Sequence, residues 1–291
     1  MFLELALGDA YGAGFEFSPP AKIARLNTGL AYAAHDLGEI APGRYTDDTQ
    51  MSVAVAEALL AADPARAADA LDEDAFARHY VAAFRRDPRP GYAKGLAALL
   101  QDCVDGADLR RRIRPDSRRN GAAMRAIPIG LLADEAAVLR VAAASARVTH
   151  DTPEGIASAQ AIALMAHALA RGGRALAELP GLVQGRLGTT LDLGWSAEVA
   201  CDGPQTVHAV AASLLRHRSL AALLVACVAL GGDTDSVAAL ALGLASLSPE
   251  YARDLPPELV AGLEDGPFGA GFLQGLEARL AAHLGVRLAA G

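Results

Sequence analysis

The 291-residue chain is long enough for one large domain or two modest ones. Its 52% hydrophobic content with only 5% aromatics favours closely packed, small-faced helices over an extensive sheet. A net charge of −8 argues against a general nucleic-acid-binding face, and three scattered cysteines without a CxxC pair argue against a disulfide framework or thiolate zinc site.

Taken in order, residues 1–7 read as the end of a short apolar helix, followed by a small-residue loop, Gly8-Asp9-Ala10-Tyr11-Gly12-Ala13-Gly14, closed by Pro19-Pro20. Glu4 and Asp9 interrupt what would be the apolar region of an export signal. Asp9 by itself reads as a cap or turn hydrogen bond. Glu16, between Phe15 and Phe17, is either a carboxyl with a raised pKa or a solvent-facing turn residue. Residues 27–44 form a long irregular loop, of the kind that in compact domains is functional or mobile. Tyr45-Thr46-Asp47-Asp48-Thr49 then precedes an apolar helix over 51–62.

The spacing of Phe76, Tyr80, Val81 and Phe84 predicts one face of a helix over 74–86. A breaker-rich loop, Asp87-Pro88-Arg89-Pro90-Gly91-Tyr92, leads to a helix over 96–103. Arg110, Arg111, Arg112, Arg114, Arg118 and Arg119 concentrate positive charge in an acidic chain. They are either a solvated turn or guanidinium groups facing a phosphate-bearing ligand. Asn120 reads as the N-cap of a helix reaching Leu132, with Gly121 permitting close approach of a ligand, a ready anion site. A helix over 136–147 and one opened by Thr152 and Pro153 flank His150, which reads as a backbone-bonded core histidine or a ligand-stacking one. Residues 188–204 are irregular and carry Trp195, read as core. Helices over 206–216 and 220–230 follow, and an amphipathic helix over 272–284 ends the chain. The longest charge-free apolar run, residues 219–232, is shorter than a bilayer requires.

The decisive stretch is Gly231-Gly232-Asp233-Thr234-Asp235-Ser236, between two apolar runs. Two carboxylates between buried helices are costly unless something positive neutralises them. The glycines allow a sharp turn, and the Asp-Thr-Asp-Ser run falls at a helix N-terminus, where the dipole favours anions. Alternating carboxylate and hydroxyl oxygens are hard donors suited to Mg²⁺, Mn²⁺ or Ca²⁺. Together with the first cluster, Thr46-Asp47-Asp48, this gives two acidic helix starts far apart in sequence, about the donor set a two-metal site needs. The fold expected is all-α: a single compact orthogonal multi-helix domain over 1–291 with a di-metal cleft.

These motifs resemble the ADP-ribosylglycohydrolase family. The matching blocks are Gly8-Asp9-Ala10-Tyr11-Gly12 with Glu16, Tyr45 to Thr49, Asp87-Pro88 with Gly91-Tyr92, Asn120-Gly121-Ala122-Ala123-Met124-Arg125, Thr149-His150, and Gly231 to Ser236, in the family's order. The resemblance implies an all-α fold holding two Mg²⁺ or Mn²⁺ ions at the base of a cleft. Thr46, Asp47, Asp48, Asp233, Asp235 and Ser236 match the ligand positions, with Asp235 bridging. Glu16 matches a glutamate that reaches the metal site and moves on ligand binding. Ser117, Asn120 and Gly121 match the loop at the distal ribose and diphosphate, His150 a position beside adenine, and Gly91-Tyr92 the branch acting on O-linked ADP-ribose. Arg118-Arg119 departs from the aromatic and glycine that relatives often carry; arginine there stacks on adenine or pairs with diphosphate.

The activity this implies is hydrolysis of the C1″ bond of ADP-ribose attached to a protein side chain or small conjugate, with Glu16, Asp48 and Asp233 as candidate catalytic carboxylates. Gly91, Tyr92, Ser117, Arg118, Asn120, Gly121 and His150 are the candidate substrate contacts. The setting expected is a cytoplasmic monomer with no nucleic-acid or membrane partner. Two other readings are a non-catalytic ADP-ribose-binding protein and a di-metal phosphohydrolase.

Overall fold

A computed structural model describes residues 1–288 of the chain. The elements in order are α1 (Phe2–Ala13), α2 (Pro20–Leu26), α3 (Asp47–Ala61), α4 (Ala67–Ala70), α5 (Glu73–Arg86), α6 (Lys94–Asp102) and α7 (Gly106–Arg112). After two 3₁₀ turns at Asn120–Ala122 and Ile127–Leu131 come α8 (Glu135–Arg147), α9 (Pro153–Ala170), α10 (Leu179–Leu187) and α11 (Gly203–Arg216). α12 (Leu220–Ala229), α13 (Thr234–Ala245), α14 (Pro257–Ala261) and α15 (Ala270–Leu284) complete the all-α architecture. Among the described residues the only β pairing is three isolated bridges.

The buried apolar residues form one connected core, with α13 buried over all twelve of its residues, Thr234 to Ala245. An all-round buried helix needs no amphipathic stripe, and the alternation of alanine and leucine in α13 supplies small and large faces to its neighbours. Its closest neighbour is α1. A side chain added at Gly8 would meet the Ala238 carbonyl at 2.4 Å, and one added at Gly12 would meet the Asp235 Cα at 2.5 Å.

This corrects the sequence reading of residues 8–14 as a glycine loop. α1 runs on to Ala13, and its glycines let two backbones touch rather than turn. A mid-helix glycine costs roughly 0.5–1 kcal/mol, and the contact it permits with α13 offsets this. The expected helix over 120–132 is also corrected. Pro128 has no N–H to donate, and the segment breaks into short 3₁₀ turns around Met124 and Arg125. The other expected helices form within a few residues of their predicted ends.

Two glycine substitutions test this packing. Gly12→Ala should destabilise the fold by about 1–3 kcal/mol, the usual cost of overpacking. Gly275→Ala, in α15 with nothing within 4 Å of the added carbon, should be neutral or stabilising by up to about 1 kcal/mol. Urea denaturation of both variants measures the difference; similar losses would mean that the α1–α13 contact is not specific.

Candidate functional site

Two helix starts meet at one cleft. α3 begins with Asp47 and Asp48, and α13 begins beyond Asp233 with Thr234, Asp235 and Ser236. The first is positioned from α1. Asp9, fully buried, accepts hydrogen bonds from the Thr46 hydroxyl at 2.8 Å, the Thr49 hydroxyl at 2.6 Å and both backbone amides at 3.0 Å. It therefore satisfies amide groups that the helix cannot satisfy itself. The second start is set by the Gly231-Gly232 turn, whose φ values of 79° and 77° suit glycine. Val199 bonds both sides of that turn, donating to the Gly231 carbonyl at 3.2 Å and accepting from the Asp233 amide at 2.8 Å. The Thr234 hydroxyl donates to the Gly12 carbonyl at 2.8 Å, so α1 holds this start too.

Glu16 arrives from the segment after α1. Phe15 is fully buried, the Phe17 amide donates to the Gly232 carbonyl at 2.8 Å, and Phe17 itself holds φ 48°, a left-handed geometry rare for a bulky residue. Glu16, Asp233 and Asp235 each bring an oxygen within 4.8 Å of one another. Asp47, Asp48 and Ser236 line the same cleft, of about 790 Å³.

No described residue forms an ion pair with Glu16, Asp47, Asp48, Asp233 or Asp235. Burial is the first cause raising the carboxyls of Asp47, Asp48 and Asp235 well above their ordinary values, and their mutual repulsion adds to it. A hydrogen bond from Ser236 opposes the rise at Asp48. Glu16 is pushed up to about 7, first by burial and then by Asp233, Asp9 and Glu39. The Oδ1 atom of Asp48 is buried with no hydrogen-bond partner. A buried, unpaired, all-oxygen cluster with an orphaned carboxylate oxygen fits hard divalent cations, which would supply the missing positive charge.

The other residues singled out in the sequence divide. Gly91 (φ 104°) lies so close to Asp47 that any added carbon would collide with its Oδ1 atom, and the loop bearing it is anchored by Arg89, which bonds Asp87 and the Tyr45 carbonyl. Tyr92 lines the cleft and donates to Gln50 at 2.7 Å. Ser117, Asn120, Gly121 and His150 line it as well. His150, paired with the Thr149 hydroxyl at 2.6 Å, is held neutral: burial first, then Arg125 and Arg119, lower its pKa to about 3. Thr46 is not on the cleft surface; its hydroxyl is committed to Asp9. Arg118 is not on it either, because its guanidinium turns outward to Asp202 at 3.1 Å. Arg119 takes the inward position.

Lys94 carries no distinct sequence signal, whereas Arg114 and Arg119 belong to the arginine cluster of residues 110–119. Lys94, Arg114 and Arg119 face the cleft, and among the described residues none of their side chains has an ion pair or hydrogen bond. Arg110, Arg111, Arg112 and Arg118 from the same region are all paired to carboxylates. The cleft is thus bipolar, with an acidic floor and free cations on its wall. Cys201 also lines it, and burial and Asp233 push its thiol up to about 12.

The raised carboxyls set a sign for stability. A group whose pKa is higher in the folded chain binds extra protons there, so stability is full below the unfolded value and falls as pH rises. For Glu16 that window runs from about 4.5 to about 7, and the buried aspartates act in the same direction. With chelator present, the melting temperature should fall as pH rises through this window, and Mn²⁺ should restore it most at the alkaline end. Differential scanning fluorimetry of the wild type and Glu16→Gln measures this. Neutral His150 works in the opposite sense between about 3 and 6.5, so a Glu16→Gln variant with an unchanged pH slope is the result that would contradict the raised Glu16 carboxyl.

A family model described as ADP-ribosylglycohydrolase matches residues 1–289. An ADP-ribosyl-(dinitrogen reductase) glycohydrolase of Rhodospirillum rubrum is 31% identical over 183 residues, covering 60% of this chain and 58% of that protein. The ADP-ribosylhydrolase ARH3 of Mus musculus is 28% identical over 179 residues, covering 57% and 47% respectively. The chain thus matches about half the length of these curated relatives. A solved structure described as an ADP-ribosylglycohydrolase-related protein complex superposes with a TM-score of 0.72 at 24% identity, over 97% of this chain and 95% of that one. That likeness shows the fold.

Proposed function

The chain belongs to the ADP-ribosylglycohydrolase family, and from that premise we propose that it is a divalent-metal-dependent hydrolase cleaving the C1″ bond of ADP-ribose attached to a protein side chain or a small conjugate. The observation that carries this is the convergence of two acidic helix starts, 185 residues apart from Asp48 to Asp233, on one cleft without a cationic partner among the described residues. The whole chain, 1–291, is taken as one functional domain acting as a cytoplasmic monomer; among the described residues no helix is long and apolar enough to cross a membrane.

Thr46, Asp47, Asp48, Asp233, Asp235 and Ser236 would hold two Mg²⁺ or Mn²⁺ ions. Bound there, the ions would orient the ribose hydroxyls and acidify a water. The chain's own part is positioning and proton transfer. A water oxygen forms a bond to C1″ as the bond from C1″ to the carrier atom breaks, through an oxocarbenium-like transition state. The proton lost by water is taken by a carboxylate, and the departing carrier atom gains one. Glu16, with a pKa near neutrality and three carboxylates around it, suits such an exchange, since a group titrating near the working pH both gives and accepts protons readily. Asp48 and Asp233 are the other carboxylates within the same floor.

The cationic wall supports an anionic ligand. Arg119 beside His150, with Lys94 and Arg114, gives the diphosphate charge-assisted partners, while neutral His150 and the Gly121 backbone offer a flat face for adenine. Ser117 with Gly91 and Tyr92 completes the ligand-facing wall.

Incubation with Mg²⁺ or Mn²⁺ and an ADP-ribosylserine protein should release free ADP-ribose; release of AMP instead would make the enzyme a phosphohydrolase. Asp235→Asn should abolish turnover and weaken divalent binding more than Ser236→Ala, because a carboxylate supplies charge that a hydroxyl does not. Arg119→Ala should raise KM about tenfold to a hundredfold with kcat nearly unchanged, as losing a charge-assisted contact of about 1.5–3 kcal/mol predicts. Arg118→Ala should leave both constants near wild type, since its charge is directed at Asp202. The reverse ranking of the two arginines would refute the placement of the anion.

A further inference from the structure

Asn120 stands in a motif whose resemblance assigns it to the ligand, yet its side-chain amide is engaged inside the protein. Its Nδ2 donates to Asp233 Oδ2 at 2.7 Å and to the Thr206 hydroxyl at 3.2 Å. A carboxamide carries two N–H donors, so both are used and neither remains for a phosphate or a ribose hydroxyl. The side chain is 6% exposed, and Thr206, on the buried face of α11, is fully buried and does not line the cleft. The orientation is chemically determined. Reversing the amide would set its carbonyl oxygen 2.7 Å from a carboxylate oxygen and beside the Thr206 hydroxyl, giving up both donated bonds.

Asp233 is the member of the floor that this amide holds. It sits at the N-cap position of α13, but its side chain makes no capping bond. Asp235 is fixed from its own helix, accepting from the Ser236 amide at 2.9 Å. On Asp233 the Asn120 amide is the close donor at 2.7 Å, with the weaker Cys201 thiol beside it. The Asn120 backbone is itself at the start of a 3₁₀ turn whose loop is tied to α11, the Gly203 amide donating to the Arg118 carbonyl at 3.1 Å. The chain Thr206–Asn120–Asp233 therefore connects α11, the 120–122 turn and the α13 start.

We infer that Asn120 is a positioning residue for Asp233, held in register by Thr206. It fixes which oxygen of that carboxylate is turned to the cluster it forms with Glu16 and Asp235. This rests on the reading of that cluster as a divalent-cation site, and it deepens that reading by placing part of the site's geometry on a side chain that donates nothing to the ligand. Partners of metal ligands in this position are commonly worth tenfold to a hundredfold in affinity or activity.

The test uses the full chain and Mn²⁺ alone, titrated by calorimetry, with kcat and KM measured in parallel on an ADP-ribosylated protein. Asn120→Ala should raise the Mn²⁺ dissociation constant about tenfold to a hundredfold and lower kcat more than it raises KM. Thr206→Val keeps the shape but removes the hydroxyl, and should weaken Mn²⁺ by about tenfold, the low end of the same range; Thr206→Ser should restore binding to near the wild-type value. Should Asn120→Ala fail to fold, the Thr206 pair carries the test, because a purely structural role would not separate valine from serine in metal affinity. Wild-type Mn²⁺ affinity in both Asn120→Ala and Thr206→Val, with only KM raised by the former, would overturn the inference and leave the metal reading intact. A wild-type chain that binds no divalent cation would overturn both.

Discussion

The structure depends on one buried carboxylate that does not face the cleft. Asp9, in the middle of α1, takes the hydroxyls and backbone amides of both Thr46 and Thr49, so the first turn of α3 is capped from another helix. On the adjoining stripe of α1, Gly8 and Gly12 let α13 approach to backbone contact. α1 is therefore a spine with a hydrogen-bonding edge and a glycine edge, and each edge fixes one of the two acidic helix starts. Replacing Asp9 by an apolar residue would leave four donors at the head of α3 without a partner, and buried donors without partners are costly.

Such a floor is expensive to fold. Four buried aspartates and a half-buried glutamate repel one another in a low-dielectric setting, and among the described residues no lysine or arginine pairs with them. What the chain offers in their place is the positive end of two helices, the Ser236 hydroxyl and the Asn120 amide. These are neutral donors, which reduce the cost without cancelling the charge. The available cations stand apart on the cleft wall at Lys94, Arg114 and Arg119. A salt bridge across the cleft would close it, and keeping the charges separate leaves both for a ligand with its own two-ended charge distribution.

The sequence announced those parts of this that are local. Two glycines followed by Asp-Thr-Asp-Ser can hardly do other than turn and start a helix, and Gly231 and Gly232 do so with left-handed φ. Thr152 and Pro153 opened α9 as their types predict. Illegible were the parts that depend on what lies opposite. Gly8 and Gly12 look the same in sequence whether they bend a chain or admit a neighbour, so α1 was read as ending too early. Pro128 was the available sign that residues 120–132 would not form one helix. Thr206 reads as an ordinary helix-face threonine, and nothing local tells its hydroxyl from any other. Arg118 and Arg119 are adjacent and chemically identical, and only Asp202, more than eighty positions away, decides which of them faces the cleft.

The contact of Gly12 with Thr234 and Asp235 has a consequence for how the protein comes into being. One half of the cleft floor lies at Glu16, Asp47 and Asp48, and the other half begins 185 residues beyond Asp48. Closing so long a loop is entropically slow, and no earlier segment can stand in for α13 against α1. A chain still emerging from the ribosome must hold Asp9, Asp47 and Asp48 together without the helix that shields them. Until α13 arrives, the glycine edge of α1 has no backbone to pack against.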